Sequence, residues 1–181
     1  MRKVNQIHIH CSATRKMVNA ETIRRWHTSE PRNWSDIGYH YVITNQIEFG
    51  RPVSRVPASA RGHNSNAIAI CYSGGLDPET GKPKDTRTPR QKELIIKLLK
   101  QLKHIYPNAT IHGHRDLSPD KNNDGKIEEW EYMKQCPCFD AESEYAEFQP
   151  KGFRPKSAEA QKKITKKKRS EGKTNRLRRP N

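Results

Sequence analysis

The chain has 181 residues, enough for one domain with a real core, yet only 31% are apolar and 30% are charged, so part of it is expected to lie outside any packed core. The formal charge of +15 is unevenly placed: residues 151–181 hold 13 Lys and Arg against 2 acids, whereas residues 1–150 hold 22 against 18. No run approaches the roughly 20 apolar residues that cross a bilayer, the opening MRKVNQIHIHCSATR lacks the apolar stretch of a secretory signal, and collagen-like and disulfide-stapled classes are excluded.

Val4–His10 alternates with the period of a strand, placing Ile7, Ile9 and Cys11 on one side and His8 and His10 on the other. Asn19 is placed to cap a helix over about Ala20–His27, along which Ile23 and Trp26 recur at helical spacing. Tyr39–Ile43 is rich in β-branched and aromatic residues, and the Asn45-Gln46 break before Ile47–Phe49 predicts a hairpin or meander. Ala67–Tyr72 reads as a buried strand ended by Gly74-Gly75, and Asp77–Thr88 as a surface loop. Thr88-Pro89-Arg90-Gln91 then supplies a helix start, followed by an apolar stripe of Leu94, Ile95, Leu98, Leu99, Leu102 and Ile105.

Thr110–His114 alternates again, with His112 and His114 on one face. Asp140 caps a last short helix whose Tyr145 and Phe148 pack down, and order is expected to end near Pro150. Strands interrupted by helices predict a single α/β domain over residues 1–150, with a central mixed β-sheet flanked by helices. Residues 151–181 form a basic tail expected to be disordered, because its few apolar residues cannot offset the entropy of ordering it.

The four cysteines, Cys11, Cys71, Cys136 and Cys138, in a chain without an export signal are read as thiols or metal ligands before disulfides. His10, His114 and Cys136 could converge at one sheet edge, and three such donors would leave a fourth zinc position open to water. Eight histidines allow many triplets, so spacing alone does not select this one.

The surrounding words do. His10-Cys11-Ser12-Ala13-Thr14, Gly38-Tyr39-His40-Tyr41, Gly113-His114-Arg115-Asp116 and Lys134-Gln135-Cys136-Pro137-Cys138-Phe139-Asp140 occur in that order. From about Val4 to Asp140, including Ile23-Arg24-Arg25-Trp26-His27 and the Gly74-Gly75 turn, the chain resembles the zinc N-acetylmuramoyl-L-alanine amidases, a family sharing its scaffold with peptidoglycan recognition proteins. The resemblance implies zinc ligands His10, His114 and Cys136, with Tyr39 and Lys134 as catalytic helpers. Zinc lowers the pKa of water toward about 7, and a Lys134 ammonium or Tyr39 hydroxyl would stabilise the oxyanion and hand a proton to the leaving amine.

His8 and His112 are read as neighbours of the ligands, His40 as structural, and Cys11 and Cys71 as buried small apolar residues. Cys138 could stand in for Cys136, but the Lys-x-Cys-Pro word selects Cys136. The chain departs from the family at Ser59-Ala60-Arg61-Gly62-His63-Asn64, where related amidases show a His-Ala pair; a substrate-contacting histidine is either lost or replaced by His63.

Between His114 and Cys136 lies an insert, residues 118–132, that resembles a calcium loop. Counted from Asp120, oxygen ligands fall at positions 1, 3 and 5 (Asp120, Asn122, Asp124), Gly125 at 6, the Lys126 carbonyl at 7, Glu128 at 9 and Glu131 at 12. A second copy is absent, and Leu117-Ser118-Pro119 is a poor entering helix. Beyond it, Lys162-Lys163, Lys166-Lys167-Lys168-Arg169 and Arg176–Arg179 cluster without aromatic interleaving, which suits anionic envelope polymers better than nucleic acid.

These readings lead to a peptidoglycan hydrolase of the phage or prophage endolysin kind, using zinc, with a candidate calcium loop, made without a signal peptide and reaching the cell wall after membrane permeabilisation. The alternatives are a peptidoglycan-binding module without catalysis, for which the ligand set should be broken, and a regulator that binds nucleic acid or a polymerase, for which a base-reading motif should appear.

Overall fold

The computed structural model describes residues 2–163 and 165–166. Five strands, β1 (Gln6–Cys11), β2 (Tyr41–Ile43), β3 (Ile47–Phe49), β4 (Ala67–Tyr72) and β5 (Thr110–Gly113), form one sheet in the order β3-β2-β4-β1-β5. All neighbours run parallel except the β2–β3 hairpin, so the sheet is mixed as the alternation of elements predicts.

The central strand β4 is buried along its whole length, which its unbroken apolar run requires: a strand covered on both faces has no polar side. On one face α2 (Pro89–Ile105) lays Leu94, Ile95, Leu98, Leu99 and Leu102 against Ile7, Ile9, Ile68, Ile70 and Ile111. On the other, α1 (Ala20–Thr28) packs Ala20 and Ile23 against Ile37 and Val42. Both helices begin where their caps foretell. The Asn19 side chain accepts from the Thr22 N–H, and Thr88 with Gln91 forms a reciprocal capping box. Gln91 does more than the cap requires. Its amide nitrogen donates to the Ile43 and Ser73 carbonyls at 2.9 Å each, pinning the start of α2 to the ends of β2 and β4.

Order does not end near Pro150. After α3 (Ala141–Glu144) and a short 3₁₀ turn, residues 151–157 cross back over the domain and residues 158–163 are helical. The local charge density hides the reason. Ser157 is fully buried, with its N–H on Glu142 Oε2 at 2.8 Å and its hydroxyl on Asp140 Oδ2 at 2.8 Å, while Ala158 and Ala160 face inward. Two buried carboxylates thus find partners in this segment, and a charge count cannot register that. The Lys and Arg clusters from residue 167 onward lie outside the described residues.

His40 is structural, as read from its position, and its bonding settles its protonation. The Ala69 N–H donates to His40 Nδ1 at 2.9 Å, so the ring proton sits on Nε2, which donates to the Arg55 carbonyl at 2.9 Å. Burial holds the ring pKa down to about 4 from the usual 6.5. As pH falls, the unfolded chain binds the proton first, so this stability is present above pH 6.5 and is lost toward pH 4. Between roughly pH 7.5 and 5 the loss is about 2 kcal/mol. Urea midpoints of wild type and His40→Gln at the two pH values should show a shallower dependence in the variant; equal slopes would refute the assignment.

Candidate metal centre

β1 and β5 are adjacent parallel strands, so their ends at His10 and His114 emerge side by side, although 104 residues separate them. His10 Nδ1 lies 3.2 Å from His114 Nδ1 and 3.8 Å from Cys136 Sγ. A tetrahedral zinc with bonds of about 2.0–2.1 Å to nitrogen and about 2.3 Å to sulfur separates two nitrogens by about 3.3 Å and a nitrogen from the sulfur by about 3.6 Å. The donors stand at nearly those spacings. Among the described residues this is the one group of three His, Cys, Asp or Glu side chains whose donor atoms all lie within 4.8 Å.

The protonation states of the two histidines suit a metal ion. Burial, reinforced by His114, His8 and Lys134, pushes the His10 pKa well below its usual value, and burial with Lys134 takes His114 down to about 4. Both imidazoles are therefore neutral near pH 7, with lone pairs free to bind metal. The Cys11 N–H donates to Cys136 Sγ at 3.2 Å, which holds the sulfur beside the end of β1.

Close approach of the ligand segments depends on Gly113. A Cβ there would stand 2.6 Å from Pro137 Cδ, so a methyl group would wedge the loop carrying Cys136 away from His114. Gly113→Ala should cost about 1–3 kcal/mol of stability and weaken the affinity of the three donors for added zinc about 10–100-fold. Competition titration with a chromogenic chelator measures this; unchanged affinity would show that the loop yields freely.

Tyr39 and Lys134 line the same cleft, of about 220 Å³, together with His114 and Cys136. The Tyr39 ring centroid lies 5.3 Å from that of His10, and burial raises its hydroxyl pKa well above the usual value, so it remains a proton-bearing donor. Lys134 is exposed at the mouth, where its positive charge contributes to lowering the His10 and His114 pKa values.

A family model described as N-acetylmuramoyl-L-alanine amidase matches residues 1–138. The chain belongs to that family. An endolysin of Enterobacteria phage K11 is 33% identical over 142 residues, covering 76% of this chain and 83% of the relative. The N-acetylmuramoyl-L-alanine amidase LysC from Clostridium intestinale URNW superposes with a TM-score of 0.59 at 25% identity, over 81% of this chain and 83% of LysC. The Ph2119 endolysin from the Thermus scotoductus MAT2119 bacteriophage shares the fold, with a TM-score of 0.60 at 21% identity over 83% and 88% of the two chains.

The rest of the amidase cleft was less legible. Trp26 recurs with Ile23 along α1, yet Ile23 is buried and Trp26 is 45% exposed on the cleft rim. His27, Arg32 and Trp34 complete that wall: His27 Nδ1 accepts the Gly38 N–H at 3.0 Å, and the Arg32 guanidinium sits 5.6 Å from the Trp34 ring. His27 belongs to α1, whereas no spacing marks the loop residues Arg32 and Trp34. At the family's His-Ala position, Ser59 faces the cleft, while His63 lies in an adjoining hollow with His114 and Lys134. His112 bonds Glu142 at 2.6 Å and His8 bonds Gln6 at 2.9 Å, and neither joins the donor set.

In the insert, the side chains of the loop pattern turn onto the loop's own backbone. Asp120 accepts from the Asp124 and Gly125 N–H groups, Asn122 also from Asp124 N–H, and Asp124 from Lys126 N–H. The buried Glu131 carboxylate accepts from Lys121 and Glu128 N–H at 2.6 and 2.8 Å, and Glu128 accepts from the Trp130 indole. The acidic groups are not drawn together as the histidines and Cys136 are. Where a second calcium loop would pair, Ile127 instead bridges to Ser157, exchanging hydrogen bonds with Lys156 and Ala158.

Proposed function

We propose that His10, His114 and Cys136 hold a zinc ion and that this amidase uses it to hydrolyse the bond between the lactyl group of N-acetylmuramic acid and L-alanine in peptidoglycan. The observation that carries the reading is the convergence of three donors from distant segments beneath a cleft lined by Tyr39 and Lys134. When bound, zinc supplies Lewis acidity, which makes water nucleophilic near neutral pH and polarises a carbonyl.

The remaining chemistry belongs to the chain. Neutral His10 and His114 and the thiolate of Cys136 give a donor set of net charge −1, so the site retains positive charge when a divalent ion is present. An amide is a poor electrophile, so charge developing on its carbonyl oxygen needs compensation; Lys134 and Tyr39, which both line the cleft, are the groups proposed to provide it. Either can deliver a proton to the departing L-alanine nitrogen. Trp26, Trp34 and Ile23 form an apolar wall that orients the substrate and limits bulk water. Digestion of purified sacculi should release new L-alanine amino termini without new reducing sugar ends; reducing ends, or no new termini from zinc-loaded protein, would sink the assignment.

The insert at 120–131 is proposed to take calcium through Asp120, Asn122, Asp124, the Lys126 carbonyl, Glu128 and Glu131, fixing the loop that leads into Lys134 and Cys136. Asp124→Ala should abolish calcium binding by calorimetry and lower turnover several-fold. Lost calcium with unchanged turnover would separate the insert from the reaction. The basic tail, residues 151–181, is proposed to attract anionic envelope polymers, and the protein to act on the cell wall after membrane permeabilisation.

A further inference from the structure

Two thiols that hydrolysis leaves unused face each other beside the metal centre. Cys11 closes β1 directly after His10, and Cys138 follows Cys136 by two residues; their Sγ atoms lie 3.9 Å apart although 127 positions separate them in the chain. The backbone is shaped around the pair. Gly75 presents no side chain where a Cβ would stand 2.6 Å from Cys11 Sγ, and its carbonyl accepts from the Cys138 thiol at 3.3 Å. Cys138 itself is held at φ 71°, a left-handed conformation that suits glycine and that other residues adopt under constraint. Cys11 is buried and Cys138 half-buried, so a small reagent meets Cys138 first. Of the other two cysteines, Cys71 is 0% exposed, and Cys136, which also lies beside Cys11, belongs to the donor set and would be occupied when zinc is bound.

We propose that Cys11 and Cys138 are a reversible dithiol–disulfide pair that ties together the two segments carrying His10 and Cys136. The oxidant is a low-molecular-weight disulfide. The Cys138 sulfur, having given up its proton, attacks one sulfur of the reagent, whose S–S bond breaks and releases one thiol. Cys11, likewise deprotonated, then attacks Cys138 Sγ in the mixed disulfide, forming the protein S–S bond and releasing the second thiol. Two protein thiols are oxidised and one reagent disulfide is reduced. The sulfurs must close by about 2 Å, within the reach of side-chain rotation and a small shift of the 135–139 loop.

The bond would close a very long loop, the case in which cross-linking most restricts the unfolded chain. It would also prevent the Cys136 loop from swinging away from His10. The test is titration of the full chain, zinc-loaded, with oxidised and reduced glutathione. Expected are a mass loss of about 2 Da, a Cys11–Cys138 linkage on peptide mapping, a rise in Tm of about 5–15 °C and zinc release to a chelator slowed roughly tenfold. Cys138→Ser, at a half-buried position, should fold and show none of these changes. Two free thiols in excess oxidised glutathione, a linkage through Cys136 with zinc loss, or a cross-link that leaves Tm and zinc release unchanged would each overturn the proposal. Mass and Tm are read whether or not zinc is present, so failure here is distinct from failure of the hydrolytic reading.

Discussion

Replacing Cys136 with serine is expected to abolish zinc binding and to lower hydrolysis of sacculi at least about 10³-fold, while leaving the fold intact. Three donors converge here, and the sulfur is the only one that brings negative charge. A serine hydroxyl stays protonated near neutral pH and is a far weaker ligand, so His10 and His114 would be left as a two-nitrogen site. Stability should change little without metal, because Cys136 is half-buried and the Cys11 N–H that donates to its sulfur can bond a serine oxygen instead. Metal content after dialysis, far-UV circular dichroism and release of L-alanine amino termini decide the matter together. The informative control is Cys138→Ser, which removes the neighbouring sulfur: zinc retained there and lost in Cys136→Ser confirms the ligand. The opposite pattern would transfer the role to Cys138.

Legibility in the sequence followed the range of the interactions. β1, β4, α1 and α2 could be read because each is specified within a few residues: period-two alternation around His8 and His10, the unbroken run Ala67–Tyr72, and the caps at Asn19 and Thr88. The three converging donors could be read because each lies in a short word, and a parallel β1–β5 pair brings two of those words together. What escaped is long-range and made of single residues. Ser157 satisfies Asp140 and Glu142 from within a segment whose composition indicates disorder. Trp34 and Arg32 line the cleft from an irregular loop without periodicity. The Cys11–Cys138 contact joins residues whose sequence neighbourhoods bear no mark of it. Gln91 reads locally as half of a cap, and its two further bonds to Ile43 and Ser73 depend on strand ends far along the chain.

Lys134→Met should lower turnover about 10²–10³-fold with bound zinc unchanged, which separates a helper from a ligand. Lys134 is exposed and its stem packs little, so the substitution removes a charge without opening a cavity. That charge acts on the site even at rest, since Lys134 is among the causes that lower the His10 and His114 pKa values. Its removal should therefore hold zinc as well as wild type or better, because a positive neighbour repels the ion. The loss should fall on kcat more than on KM if the ammonium compensates charge that develops only as the amide carbon becomes tetrahedral. Arginine is not expected to rescue, since a planar guanidinium cannot occupy the place of a compact ammonium beside His114. Tyr39→Phe removes the second donor. If both groups serve the same developing charge, the double variant should lose less than the product of the single losses. A Lys134→Met enzyme that loses zinc, or that turns over within about threefold of wild type, would place the oxyanion elsewhere in the cleft.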